Sequence, residues 1–156
     1  MKVEITERSA IHVAAIRHHG APELEIQTVR KMIDWRIANG AKPAPHTTFA
    51  LYYADPATTS ADDYFMDSCV AFEPPIAANP QGAVARQIPG GGYAMARDVG
   101  SRFNNRAAAY LYREWLPESG YLLDVNRPMI FDYVNVGPAV APADMITEVY
   151  LPIVLA

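Results

Sequence analysis

The sequence predicts an α+β fold: a tandem, pseudo-two-fold repeat of strand-helix-strand-strand units, with mostly antiparallel sheets and one long helix in each. Three observations carry this. Trp35 and Trp115, the two tryptophans of the chain, stand 80 residues apart (115 − 35). The same offset takes Arg17 to Arg97, Gly20 to Gly100, Gly40 to Gly120 and Tyr53 to Tyr133, and a one-residue slip takes Asp67 to Glu148. Each copy also has the same order of patterns: an apolar run, an arginine, a glycine, then a helix-like stretch ending at tryptophan and glycine. Self-similarity at a fixed spacing marks a repeated structural unit, and the seam between two copies is a natural place for a ligand groove.

Residues 11–16 read as a strand ending near His18, broken by Gly20-Ala21-Pro22, where Pro22 suits a first helical turn. Over 23–38, Ile26, Val29, Ile33 and Ile37 recur at helical spacing, with Asn39-Gly40 as the stop. A proline-containing loop over 42–46 leads to a strand at 47–53. Asp55-Pro56 opens a turn, and 64–72 forms a hairpin with that strand. Residues 73–81, with Pro74, Pro75 and Pro80, are the best linker, which sets the pseudo-repeats at 1–75 and 80–156 of one domain. In the second copy, 84–88 and 93–97 make a strand pair or one bulged strand around Pro89-Gly90-Gly91-Gly92. Phe103, Ala107, Tyr110, Leu111 and Glu114 lie on one side of a helix ending at Leu116-Pro117 and Ser119-Gly120. Strands at 129–135 and 145–151 follow, joined by a loop with Gly137, Pro138 and Pro142.

Bulk composition narrows the function. Hydrophobic residues at 51% and charged residues at 19% of 156 supply a packed core and argue against disorder. A net charge of −4, with no run of Lys or Arg, disfavours direct nucleic-acid binding, since phosphates demand a basic face. No apolar segment approaches the roughly 20 residues that span a bilayer, and 1–10 lacks a signal peptide's apolar stretch. One cysteine, Cys69, excludes an internal disulfide and fits a reducing compartment, so a cytoplasmic location is expected. On a strand, Cys69 reads as a core residue. His12, His18, His19 and His46 make no metal pattern, and Gly90-Gly91-Gly92 lacks the Lys and Ser/Thr of a phosphate loop. Neither metal nor cofactor is expected.

Several segments, in order and spacing, resemble the GyrI-like small-molecule-binding family, whose domain also serves as effector module in AraC-type and MerR-type multidrug-sensing regulators. They are Arg17-His18-His19-Gly20, Tyr53-Ala54-Asp55-Pro56, Asp67-Ser68-Cys69, Ile88-Pro89-Gly90-Gly91-Gly92-Tyr93, Glu114-Trp115-Leu116-Pro117-Glu118-Ser119-Gly120-Tyr121 and Thr147-Glu148-Val149-Tyr150-Leu151-Pro152. The resemblance spans about 3–152 and implies a groove between the two units for bulky, aromatic, often cationic compounds. The match takes up nearly all of the chain, so no DNA-binding domain is expected beside it. The chain departs from the family where tyrosines usually follow the glycine of each half, with Glu23 and Phe103 near those positions. It departs again at the usual ligand-contacting glutamate, where ungapped alignment puts Phe131 and a one-residue shift puts Asp132.

A site for a flat aromatic ligand needs ring faces, apolar walls and a few polar groups. Tyr53, Tyr112, Trp115, Phe131, Tyr133 and Tyr150 are the candidate walls, although Trp115 suits core packing equally well. Asp132 or Glu148 is the candidate acid for a cation. Strand alternation puts Ile146, Glu148 and Tyr150 on one face, and Met145, Thr147, Val149 and Leu151 on the other, under a helix. Arg17 and Arg97 are expected to pair with acids near the seam or to lie at its rim. The leading expectation is a stand-alone binding protein for aromatic, cationic or amphipathic small molecules. The alternatives are a hydrolase of electrophilic, cyclopropane-type xenobiotics using a pocket carboxylate, and an inhibitor of a partner protein such as DNA gyrase.

Overall fold

A computed structural model describes residues 1–43, 45–102 and 105–156. The chain divides into two compact units, Ile11–Ile88 and Met1–Ala10 together with Pro89–Ala156.

In the Ile11–Ile88 unit, β2 (Ile11–His19) leads through a 3-10 turn at Pro22–Leu24 into α1 (Glu25–Asn39). β3 (Thr48–Tyr52), β4 (Phe65–Ala71) and β5 (Val84–Ile88) follow, and the antiparallel order is β3-β4-β2-β5. Trp35 and Met32 of α1 pack on Ala14, Ile16 and Val70, with Phe72 edge-on to Trp35 at 5.0 Å. The buried face of α1 is Thr28, Met32 and Trp35, rather than the predicted stripe of Ile26, Val29, Ile33 and Ile37, in which Val29 is half-buried and the isoleucines are exposed; Ile37 is 77% accessible. Trp35 and Met32 put an indole and a thioether side by side on that face, where the sheet covers them completely, and His18 pins the same face by bonding Thr28 Oγ1 at 3.1 Å. Cys69 is buried in the core, and burial pushes its thiol pKa up, which disfavours the thiolate form.

The second unit repeats this topology with its parts in a different chain order. β1 (Val3–Arg8) precedes the other unit in sequence and pairs with β6 (Gly91–Val99). Next come a helical run, β7 (Tyr121–Leu123), β8 (Met129–Tyr133) and β9 (Ile146–Leu155). The antiparallel order is β8-β9-β6-β1, with β7 beside the end of β9. The helical run is α2 (Ala107–Ala109), a π-helical stretch Tyr110–Trp115 and a 3-10 turn Leu116–Glu118. The Leu116 N–H reaches Leu111 O, five residues back, and Pro117, with no N–H to donate, sits in the closing 3-10 turn. Its Ala107 and Leu111 pack on Ala94, Ala96, Val149 and Leu151, joined by the half-buried Trp115, Met129 and Phe131. Phe103, predicted on this helix, lies outside the described residues.

The units therefore differ in extent from the predicted 1–75 and 80–156. Residues 73–81 do not end a unit, because the chain beyond them returns as β5 onto β2. Residues 84–88 and 93–97 fall in different units and pair with β2 and with β1 and β9, respectively, not as one bulged strand. β9 also runs past the predicted end at Leu151. Its neighbour changes from β8 at 147–150 to β7 at 153–155, so Pro152 withholds its N–H where no ladder bond is needed on that side.

The glycines found by spacing have a physical role. Gly20 and Gly100 have φ of 125° and 135°, and their N–H groups bond Tyr64 O and Met145 O at 3.0 and 2.8 Å. Gly40 and Gly120 have φ of 65° and 77°. A Cβ at Gly20 or Gly100 would meet nothing within 4 Å, so replacement costs backbone strain alone. Gly20→Ala and Gly100→Ala are each expected to destabilise by about 1–3 kcal/mol, by similar amounts, in urea unfolding. A negligible cost at either would mean that its turn relaxes freely.

Candidate functional site

In each unit the helix covers one sheet face, and strand alternation sends the intervening side chains to the helix-free face. In the Ile11–Ile88 unit that face carries Arg17, Asp67 and Cys69. Arg17 grips Asp67 with two bonds, Nε to Oδ1 at 2.8 Å and a terminal nitrogen to Oδ2 at 3.0 Å. Tyr53 donates its hydroxyl to Asp67 Oδ2 at 2.7 Å, and the guanidinium lies over Phe65 at 4.6 Å and Tyr53 at 5.3 Å. Asp67 is fully buried. Its bond to Arg17 raises the guanidinium pKa, while burial, aided by Asp67, raises that of the Tyr53 phenol. The acid's partners are all internal, so this group reads as a structural clasp.

The helix-free face of the other unit is built differently. Asp132 of β8 stands directly across the ladder from Glu148 of β9, and Tyr150 is two residues further along. Both acids thus share one face, with side chains only 14% and 13% exposed. Glu148 is saturated: Oε2 takes two bonds from Arg97 at 3.0 and 2.5 Å, and Oε1 accepts the Tyr150 hydroxyl at 3.0 Å. Asp132 is not. Arg8, at the end of β1, approaches its Oδ2 at 3.7 Å and lies over the Tyr150 ring at 4.1 Å, while the solvent-shielded Oδ1 accepts no hydrogen bond from the described residues. Burial pushes the Asp132 carboxyl up to about 6, with Arg8 pulling it down and Glu148 pushing it up. Burial likewise raises the Tyr150 phenol to about 12.

Below these groups Tyr93 is fully buried, edge-on to Tyr150 at 6.2 Å. Arg127 lies over the Tyr93 ring at 4.7 Å, donates to Asp124 at 2.7 Å, and donates to Gly92 O and Ile153 O at 3.0 Å each. Arg127 therefore locks β6 to β9 beneath the site. Its guanidinium fills the space of a side chain at Gly91, where a Cβ would stand 2.6 Å away.

Of the residues selected from the sequence, the structure gathers Asp132, Glu148 and Tyr150. Phe131 and Tyr133 alternate to the helix-bearing face, 6.4 Å from each other, and the Arg102 guanidinium lies 5.6 Å over Tyr133. Trp115 is on the same side, stacked on Tyr121 at 5.9 Å. Tyr112 is 50% exposed on the helical run, and Tyr53 belongs to the Arg17–Asp67 clasp. By ladder register the partner of Tyr133 in the other unit is Tyr52, not Tyr53, because Tyr52 faces Met66 as Tyr133 faces Thr147. Sequence reasoning missed Arg8 and Tyr93. Arg8 lies on a short polar strand whose counterpart, β5, is at the opposite end of its unit in chain order, so no fixed offset reaches it.

The comparisons with known proteins agree in scale. A family model described as the GyrI-like small molecule binding domain matches residues 1–154. A probable transcriptional regulator of Escherichia coli K12, YgiV, is 34% identical over 155 residues, covering 98% of this chain and 96% of that protein. Among solved structures, the EcmrR C-terminal domain superposes with a TM-score of 0.76 at 19% identity, covering 99% of this chain and 98% of that one. The chain spans 58% of the longer EcmrR chain seen in its complex with DNA. SAV2435, solved bound to tetraphenylphosphonium, superposes with a TM-score of 0.64 at 10% identity, covering 99% and 94% of the two chains. With nearly its whole length matched by the family model and by a relative above 30% identity, the chain belongs to the GyrI-like small-molecule-binding domain family.

Proposed function

We propose that the chain binds bulky aromatic small molecules of cationic or amphipathic character, with Asp132 and the Tyr150 ring as the charge-recognising pole. The observation that carries this is Asp132: a shielded carboxylate with an unclaimed oxygen, beside an aromatic face and across from a second acid that is already saturated. A desolvated carboxylate and a π-face are the two elements that attract an organic cation, the latter contributing about 0.5–2 kcal/mol. The tetraphenylphosphonium held by SAV2435, a protein of the same fold, is a ligand of this class.

Tetraphenylphosphonium is therefore expected to raise the melting temperature by mass action and to bind measurably in calorimetry. The sign of the pH dependence follows from Asp132. Its carboxyl is ionised above about 6 in the empty protein, and a bound cation lowers that value. Affinity should be full above pH 7 and fall as pH drops through 6, by up to about tenfold per unit. Tetraphenylborate, the anionic isostere, should show no such loss. Phosphonium affinity that stays level from pH 7.5 to 5 would remove Asp132 from the reading.

One observation also favours a second reading, hydrolysis of a cyclopropane-type electrophile. A carboxyl titrating near neutrality suits a general base that takes a proton from water as the water oxygen bonds the ring carbon; the strained C–C bond breaks, its electron pair passes to the conjugated carbonyl of the electrophile, and that oxygen is protonated. Turnover of such an alkylator, lost in Asp132→Asn, separates catalysis from binding; saturable binding without product formation leaves binding alone.

A further inference from the structure

We propose that Arg8 is a tethered cation seated in the charge pole of the empty protein, which a cationic ligand must displace. Arg8 then sets the affinity threshold that lets strongly lipophilic cations in and keeps weak ones out. The inference rests on the binding reading above and adds the residue that governs its selectivity.

The geometry is that of an occupied seat. The Arg8 guanidinium lies 4.1 Å over the Tyr150 ring and 3.7 Å from Asp132, the placement an organic cation would adopt. Its grip on the acid is longer than that of Arg17 on Asp67, at 2.8 Å. Arg8 is the last residue of β1, so a change in its side-chain position leaves the rest of the ladder to β6 in place.

The duplicated topology provides an internal control. When Arg17↔Asp67 is aligned on Arg97↔Glu148, the ladders place Leu51 at the position of Asp132, Cys69 at that of Tyr150 and Ile88 at that of Arg8. Those three are buried and apolar. The fold is therefore compatible with apolar residues at all three positions, and Arg8, Asp132 and Tyr150 occur together in the one unit that departs from them. Arg8 is the cation that balances Asp132 and covers the Tyr150 ring there.

Calorimetry on the full chain with wild type, Arg8→Met and Arg8→Lys tests this. Arg8→Met should tighten tetraphenylphosphonium about tenfold and weaken tetraphenylborate, with Arg8→Lys between the two. In wild type, the side-chain Nε–H resonance of Arg8 should lose its ring-current shift on saturation with tetraphenylphosphonium, a readout that needs no variant to fold. An unchanged or weaker phosphonium affinity in a folded Arg8→Met, or an Arg8 resonance that stays ring-shifted at saturation, overturns the seat. The binding reading stands in that case provided wild-type affinity still falls on acidification. Absence of phosphonium binding in both wild type and folded Arg8→Met overturns both.

Discussion

Trp35→Ala is expected to lower the unfolding free energy by about 3–5 kcal/mol, which for a chain of this size is a fall of about 10 °C in melting temperature. The indole is 1% exposed and is the largest side chain in a cluster with Ala14, Ile16, Met32 and Val70, closed by the edge-on Phe72 ring. Small neighbours such as Ala14 and Ala41 cannot spread to fill the space, so a cavity penalty adds to the lost transfer energy. Trp115→Ala should cost clearly less. Its indole is only half-buried and stacks against Tyr121, where water can replace part of the lost contact. Urea unfolding of the two variants measures this directly. Equal costs would show that the two tryptophans carry equal weight in their units.

The second large effect concerns binding. Asp132→Asn keeps the shape of the carboxyl and removes its charge, and should weaken tetraphenylphosphonium by about 10–100-fold at pH 7.5, the loss of one charge-assisted contact. The pH dependence should disappear with it. Glu148→Gln should weaken binding only a few-fold, because both oxygens of Glu148 are already engaged by Arg97 and Tyr150. Stability distinguishes a binding defect from a folding defect. The Asp132 carboxyl is raised above its ordinary value in the folded protein, so the folded state gains from protonation, and the ionised form above pH 6 is a cost. Asp132→Asn should therefore melt no lower than wild type at pH 7.5, and the empty wild type should gain stability through this group as pH falls from 7 to 5. A variant that melts lower would mean that the acid supports the sheet and the binding result reflects damage to the fold.

The parts legible in the sequence were those with strong local requirements. Gly20, Gly40, Gly100 and Gly120 occupy backbone conformations that other residues strain to reach, so they recur at one spacing whatever surrounds them. Arg17 and Arg97 each meet an acid directly across a ladder, and their acids, Asp67 and Glu148, were the pair reached with a one-residue slip. Alternation along β9 also placed Glu148 and Tyr150 on the helix-free face, opposite Val149 and Leu151 in the core. In α1 the local signal misled. The isoleucine stripe is periodic, but the buried face was chosen by Trp35, whose preference appears only when a sheet is present to pack against.

What the sequence determined by itself was the family and the mostly antiparallel α+β class, because periodicity, turn chemistry and motif spacing are properties of short segments. The tertiary structure alone decided the membership of the units and which side chains meet around Asp132. β1 joins β6 across more than eighty intervening residues, and β5 returns to β2, pairings that no local preference encodes. The choice between Phe131 and Asp132 turned on a single residue of register, which reverses the face of every side chain on a strand, and only the ladder to β9 fixes it. Arg8 entered the site by the same route. A side chain's neighbours across a sheet are set by pairing partners distant in the chain, and a segment read alone holds no record of them.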